Sequence, residues 1–160
     1  MNTRKKLCFY INLILSLAIM VIIFLFSTET GELSNDRSGS LKETLLSLLD
    51  PVLPELLYNF IDEHIRQLAH FALYFALGVT VSLSVRSGFY IWNSTAKPIL
   101  PYLIALIICI IYAVFDELHQ YFVPGRSCRI IDVGIDSLGA FISIGLHFII
   151  TLIHKKRTSI

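Results

Sequence analysis

Four long apolar runs alternate with polar stretches along this chain, and each is of a length that matters to a lipid bilayer. Residues 7–26 contain no charged side chain, and at about 1.5 Å per residue a helix of that length crosses a hydrocarbon core of about 30 Å. Further runs fill 66–85, 98–115 and 133–153. The pattern predicts an all-α membrane bundle of four transmembrane helices, read as one domain over 1–160. The first run exceeds the roughly 7–15 apolar residues of a secretory signal and meets the polar Ser27-Thr28-Glu29-Thr30 instead of a small-residue cleavage site, so it is expected to stay as a span.

Between the first two spans lies a polar stretch, 27–65, carrying eight acids against two bases, Arg37 and Lys42. Within it LKETLLSLL and PELLYNFI have apolar residues at helical spacing and are parted by Asp50-Pro51 and Pro54. Neither piece can span, which predicts two short helices at the membrane interface. The basic clusters lie elsewhere: Arg4-Lys5-Lys6, then Arg86 and Lys97 at the two ends of the next connector, and Lys155-Lys156-Arg157 near the carboxyl end. Positive charge stays cytoplasmic. Four spans with both termini inside the plasma membrane satisfy all three clusters together and place 27–65 outside. Tyr90 and Trp92 suit an interfacial connector, whereas Asn93-Ser94-Thr95, which has the form of a glycosylation site, is left unused by a cytoplasmic position.

Composition reinforces the membrane reading. The chain is 55% hydrophobic and 16% charged, with a mean hydropathy of +0.71, against roughly 25% charged residues in ordinary globular chains. A net charge of +1 offers nothing for nucleic acid to hold. Cys8, Cys109 and Cys128 form neither a disulfide framework nor a cysteine-based zinc site.

Against this apolar background the stretch from Asp116 to Asp136, DELHQYFVPGRSCRIIDVGID, places charge where one span ends and the next begins, and charge at that depth is expensive enough to read as functional. If the third helix continues past Phe115, then Asp116, His119 and Gln120 share a face at i, i+3 and i+4, with Glu117 pointing elsewhere. Val123-Pro124-Gly125-Arg126 reads as a turn that leaves Arg126 on the bend, able to pair with Asp132 or Asp136 or to grip a phosphate. Asp132 and Asp136 form an i, i+4 acid pair that calls for cations opposite. Arg66, His70 and Tyr74 line one face at the start of the second span, so polar residues from three segments meet at one depth. His147, much deeper, reads as a packed residue with no polar neighbour at its level. His70, His119, Asp116, Glu117, Asp132 and Asp136 are suitable nitrogen and oxygen metal ligands, but no spacing such as H-E-x-x-H singles out a metal site, so none is assigned and the cofactor stays unknown. No nucleophile elbow surrounds Ser127 or Cys128 either.

The combination of Arg66-x-x-x-His70-x-x-x-Tyr74, Asp116-Glu117-x-x-Gln120, Pro124-Gly125-Arg126 and Asp132 with Asp136-x-x-Gly139 resembles the VanZ-like family of bacterial membrane proteins. The resemblance covers about 66–148. Many members have lysine where Gln67 stands and asparagine where Asp136 stands, which changes the charge balance here. The resemblance implies a helical membrane domain, a cell-envelope role and a connection to resistance against teicoplanin, a lipid-tailed glycopeptide; it does not imply a reaction.

Three functions follow as expectations. The first is an outward polar pocket, built from Arg66, His70, Tyr74, Asp116, Glu117, His119, Gln120, Arg126, Asp132 and Asp136, that meets an amphiphile, a lipid-linked cell-wall precursor or a glycopeptide. The second is an intramembrane hydrolase or transferase acting on lipid-linked phosphate, with His70 or His119 as base and Arg126 on the phosphate. In the third, the charges are a structural clasp between helices.

Overall fold

The computed structural model describes residues 3–49, 55–92 and 97–157, almost all of them helical. In chain order the helices are α1 (Thr3–Ser27), α2 (Gly31–Leu49), α3 (Glu55–Trp92), α4 (Leu100–Tyr121) and α5 (Ile130–Arg157). No strand occurs among the described residues. α1, α3, α4 and α5 each contain a stretch long and apolar enough to cross a membrane. The expected all-helical, four-span architecture is the one found, and the chain is a multi-pass membrane protein.

Helix boundaries depart from the sequence reading in one instructive place. Residues 55–61 of PELLYNFI, expected as a separate interfacial helix, supply the first turns of α3, which runs unbroken for 38 residues. No proline or glycine stands between Glu55 and Leu77, so nothing in the backbone interrupts the helix where its side chains change from polar to apolar. LKETLLSLL falls in α2, which already begins at Gly31. The break at Asp50-Pro51 and Pro54, like Asn93-Ser94-Thr95, lies outside the described residues.

α3 is the central helix, packed against α5, α1 and α4, while α4 also packs on α5. The four spans alternate in direction. At one end the Ser84 hydroxyl meets the Phe9 carbonyl at 3.5 Å and the Tyr102 hydroxyl donates to Thr151 at 2.9 Å; the opposite end gathers the close of α1, the first half of α3, the close of α4 and the start of α5. All three basic clusters belong to the first end.

The interior is small and partly polar. Tyr74, Leu77, Ala105, Cys109, Ala113 and Ala140 are fully buried, together with Ser27, Ser82 and Ser143, whereas Ile14, Phe115, Phe141 and Ile149 are exposed. That inversion suits a bundle bathed in lipid, where helices gain nothing by hiding leucine and associate through small residues and hydrogen bonds instead. At Gly139 an added Cβ would lie 2.5 Å from the Phe71 carbonyl oxygen of α3. At Gly78 it would meet the Ser143 side chain and the Ala140 backbone. Two glycines on facing helices thus set the closeness of α3 and α5.

His147 is not solitary, contrary to the sequence reading. Its Nδ1 lies 2.8 Å from the Ser82 hydroxyl and its Nε2 3.4 Å from Arg86. The guanidinium has only protons to give, so Nε2 accepts, Nδ1 carries the ring proton, and Ser82 passes its own proton on to the Val79 carbonyl at 3.0 Å. These partners come from α3, and their spacing along another helix hid the match. The three cysteines are free thiols.

Candidate functional site

α1 ends at Ser27, and Ser27 is fully buried against α4. Its hydroxyl donates to Asp116 Oδ1 at 2.5 Å. Gln120, one turn further along α4, donates from Nε2 to Asp116 Oδ2 at 3.1 Å and to the Ser27 oxygen at 3.3 Å. Its Oε1 accepts from Arg66 at 3.2 Å and from Arg126 at 3.1 Å. Two arginines on one oxygen fix which way the amide points. Hydrogen-bond donation therefore runs in one direction, from the guanidinium pair through Gln120 and Ser27 to the Asp116 carboxylate.

Arg126 owes its place to the turn that carries it. Pro124 and Gly125 form the bend, Gly125 takes a φ of 75°, and the Arg126 N–H closes it on the Val123 carbonyl at 3.1 Å, the geometry in which glycine at the third position costs least. The loop docks on the start of α2 through the Gly31 N–H, which donates to the Pro124 carbonyl at 3.0 Å. From there the guanidinium reaches the end of α1, donating from Nε to the Glu29 carbonyl at 3.0 Å and from a terminal nitrogen to the Phe26 carbonyl at 2.6 Å. The expected pairing with Asp132 or Asp136 does not form, because unsatisfied carbonyls at a helix end are nearer acceptors. Burial, reinforced by the neighbouring Arg66 charge, lowers its pKa from the ordinary arginine value.

The second group of polar residues joins α3, α4 and α5. His70 Nδ1 stands 3.7 Å from Asp136 Oδ2. Glu117 is buried and accepts the Arg129 backbone N–H at 2.5 Å, so it anchors the residue just before α5. Asp136 Oδ1, Asp132 Oδ1 and the Tyr74 hydroxyl are buried with no hydrogen-bond partner among the described residues. Between these groups lies a cavity of about 60 Å³, walled by Arg66, His70, Glu117, Arg129, Asp132 and Asp136. Gln67, Gln120, Ser127 and Ile135 complete its lining. Water fits easily, one molecule needing about 10–15 Å³ on this measure.

Of the residues expected at the site, Arg66, His70, Glu117, Gln120, Asp132 and Asp136 line this cavity. Asp116 and Arg126 stand behind Gln120, and Tyr74 is buried one turn below His70. His119 turns away and lies along the Phe24 ring at 4.8 Å, its Nε2 without a hydrogen-bond partner among the described residues. Glu117, expected to point away, faces inward because α4 is enclosed by α3 on one side and α5 on the other. Ser27, Ser127 and Arg129 were not singled out as site residues. For Ser27 the only signal was a polar residue directly after an apolar span, which also describes an ordinary span exit.

Among the described residues, the ion pairs are Glu29 with Arg37 at 2.7 Å and His70 with Asp136. Arg66 and Arg126 spend hydrogen bonds on neutral oxygens, leaving the three acids of the cavity, and Asp116 behind it, outside the ion pairs with guanidinium groups among the described residues. Residues 12–151 match the model of the VanZ/LLP1 family. No curated protein and no solved structure matches significantly. Every residue of the cavity and of the hydrogen-bonded chain behind it falls within the matched segment, and the chain belongs to the VanZ/LLP1 family.

Proposed function

We propose that the protein works in the bacterial plasma membrane as a cell-envelope component whose charged cavity opens outward and receives the polar head of an amphiphile, a lipid-linked cell-wall precursor or a lipid-tailed glycopeptide, with a consequence for teicoplanin resistance. The observation that carries this reading is the cavity itself: Arg66, Arg129 and His70 with Glu117, Asp132 and Asp136, placed between spans at the end away from the basic clusters. Basic clusters belong inside, which supports an outward position for the cavity. Guanidinium groups beside carboxylates suit a head group bearing both phosphate and amine. In a strain whose teicoplanin susceptibility changes when the gene is deleted, complementation with Arg66→Ala or His70→Ala is expected to leave susceptibility at the deletion level, with the variant proteins detected in the membrane. Full complementation by both variants would remove the cavity from the function.

A second reading is favoured by His70 beside Asp136 on the cavity wall, an imidazole 3.7 Å from a carboxylate and next to room for water. It makes the protein a hydrolase or transferase on lipid-linked phosphate, with His70 as base and Arg66 or Arg129 on the phosphate, since Arg126 is committed to Gln120, Phe26 and Glu29. Turnover of a polyprenyl phosphate substrate, lost in His70→Ala, separates it from binding alone. The clasp reading has less support, because the hydrogen bonds of Arg66 and Arg126 at the site go to neutral oxygens.

A further inference from the structure

His70 on α3, Asp116 on α4 and Asp136 on α5 each direct one ligand-type atom to a common point, with all three atoms within 4.8 Å of one another. No two of these residues share a helix, so no sequence spacing announces the group. We propose that His70, Asp116 and Asp136 hold a divalent transition-metal ion at the inner end of the cavity.

Charge is the first argument. Asp116 and Asp136 are 4% and 2% exposed, and among the described residues the one basic group within ion-pair distance of either is His70, at 3.7 Å from Asp136. Two such carboxylates cost several kcal/mol each unless something positive compensates them. A divalent ion between them balances both charges.

Unsatisfied valence is the second. Asp136 Oδ1 has no hydrogen-bond partner among the described residues, and neither has the Tyr74 hydroxyl, fully buried one turn along from His70 and close enough to feel the charges of both aspartates. Asp116 is held the way metal carboxylates are held, each of its oxygens fixed by a donor, Ser27 on one and Gln120 on the other, with lone pairs to spare. Nitrogen and oxygen ligands about 2.1 Å from a tetrahedral ion stand about 3.4 Å apart, so the trio closes on an ion by about an ångström of side-chain movement. The imidazole ligand favours zinc over magnesium or calcium, and the two carboxylates also admit manganese. The cavity at His70 and Asp136 has room for a water at the remaining position.

The test is elemental analysis of the full chain purified in mild detergent without chelator, then stripped and incubated with zinc or manganese. The expected result is one ion per chain that survives dialysis, with a rise in melting temperature when zinc is restored to the stripped wild type. In His70→Ala and Asp136→Asn both the ion and the zinc-dependent rise are lost. The wild-type measurement stands alone should a variant fold poorly: no bound ion and no shift with either metal overturns the proposal, as does undiminished binding in folded variants. Head-group binding by a protein that takes up neither metal would leave the cavity reading intact while the ion is refuted.

Discussion

Arg126 uses each of its three nitrogens on a different acceptor, Gln120 Oε1 and the carbonyls of Phe26 and Glu29. Its positive charge thereby closes the end of α1 and sets the amide that organises Asp116. A lysine offers a single point of donation and cannot reach three acceptors spread over α4, the end of α1 and the turn after it. Arg126→Lys is therefore expected to destabilise the protein nearly as much as Arg126→Ala, by about 2–3 kcal/mol, read from thermal or chemical unfolding in detergent. A lysine variant as stable as wild type would mean that charge alone matters at this position. The turn that presents Arg126 was legible in Val123-Pro124-Gly125-Arg126, because backbone geometry follows from local residue type. Its partners were not, since backbone carbonyls carry no signature in the sequence and the end of α1 lies almost a hundred residues away.

At the scale of helices, the approach of α3 to α5 decides whether His70 and Asp136 face each other. Gly139 lies one turn beyond Asp136 on α5, and its bare Cα sits against the Phe71 carbonyl region of α3. Gly139→Ala places a methyl group 2.5 Å from that oxygen, and since the obstacle is backbone, the helices must separate. A loss of about 1–3 kcal/mol is expected, measured by unfolding and accompanied by lost metal binding if the trio of ligands closes as proposed. Gly134, whose added Cβ meets nothing within 4 Å, is the control, with Gly134→Ala expected to be close to neutral or slightly stabilising in mid-helix. The helices themselves were readable from their apolar runs, although the join between PELLYNFI and the second span was not, because a polarity change is not a backbone break.

For the whole molecule, the antiparallel order of the four spans puts the basic ends together and the cavity at the other end. If the positive clusters dictate insertion, reporter fusions after Asn35 are active outside, and fusions after Trp92 or at the carboxyl terminus are active inside. A fusion after Asn35 that reports a cytoplasmic position would invert the molecule and turn the cavity toward the cytoplasm. The exposed faces of α1 and α5, rich in Ile, Leu and Phe, need lipid whichever way the chain inserts.

The sequence by itself determined the membrane class, the number of spans, the alternation that brings polar segments to one depth, and the family resemblance, because these depend on hydropathy, length and local residue types. It also marked most residues of the cavity, since charge inside an apolar run stands out. Tertiary structure decided who meets whom. Gln120 joins two arginines to Asp116, Ser27 closes the chain of donors, His119 leaves for Phe24, and His70, Asp116 and Asp136 converge from three helices. Such meetings depend on the rotation of each helix about its axis and on interhelical distances set by residues as small as Gly78 and Gly139. Neither quantity is written in the hydrophobic pattern.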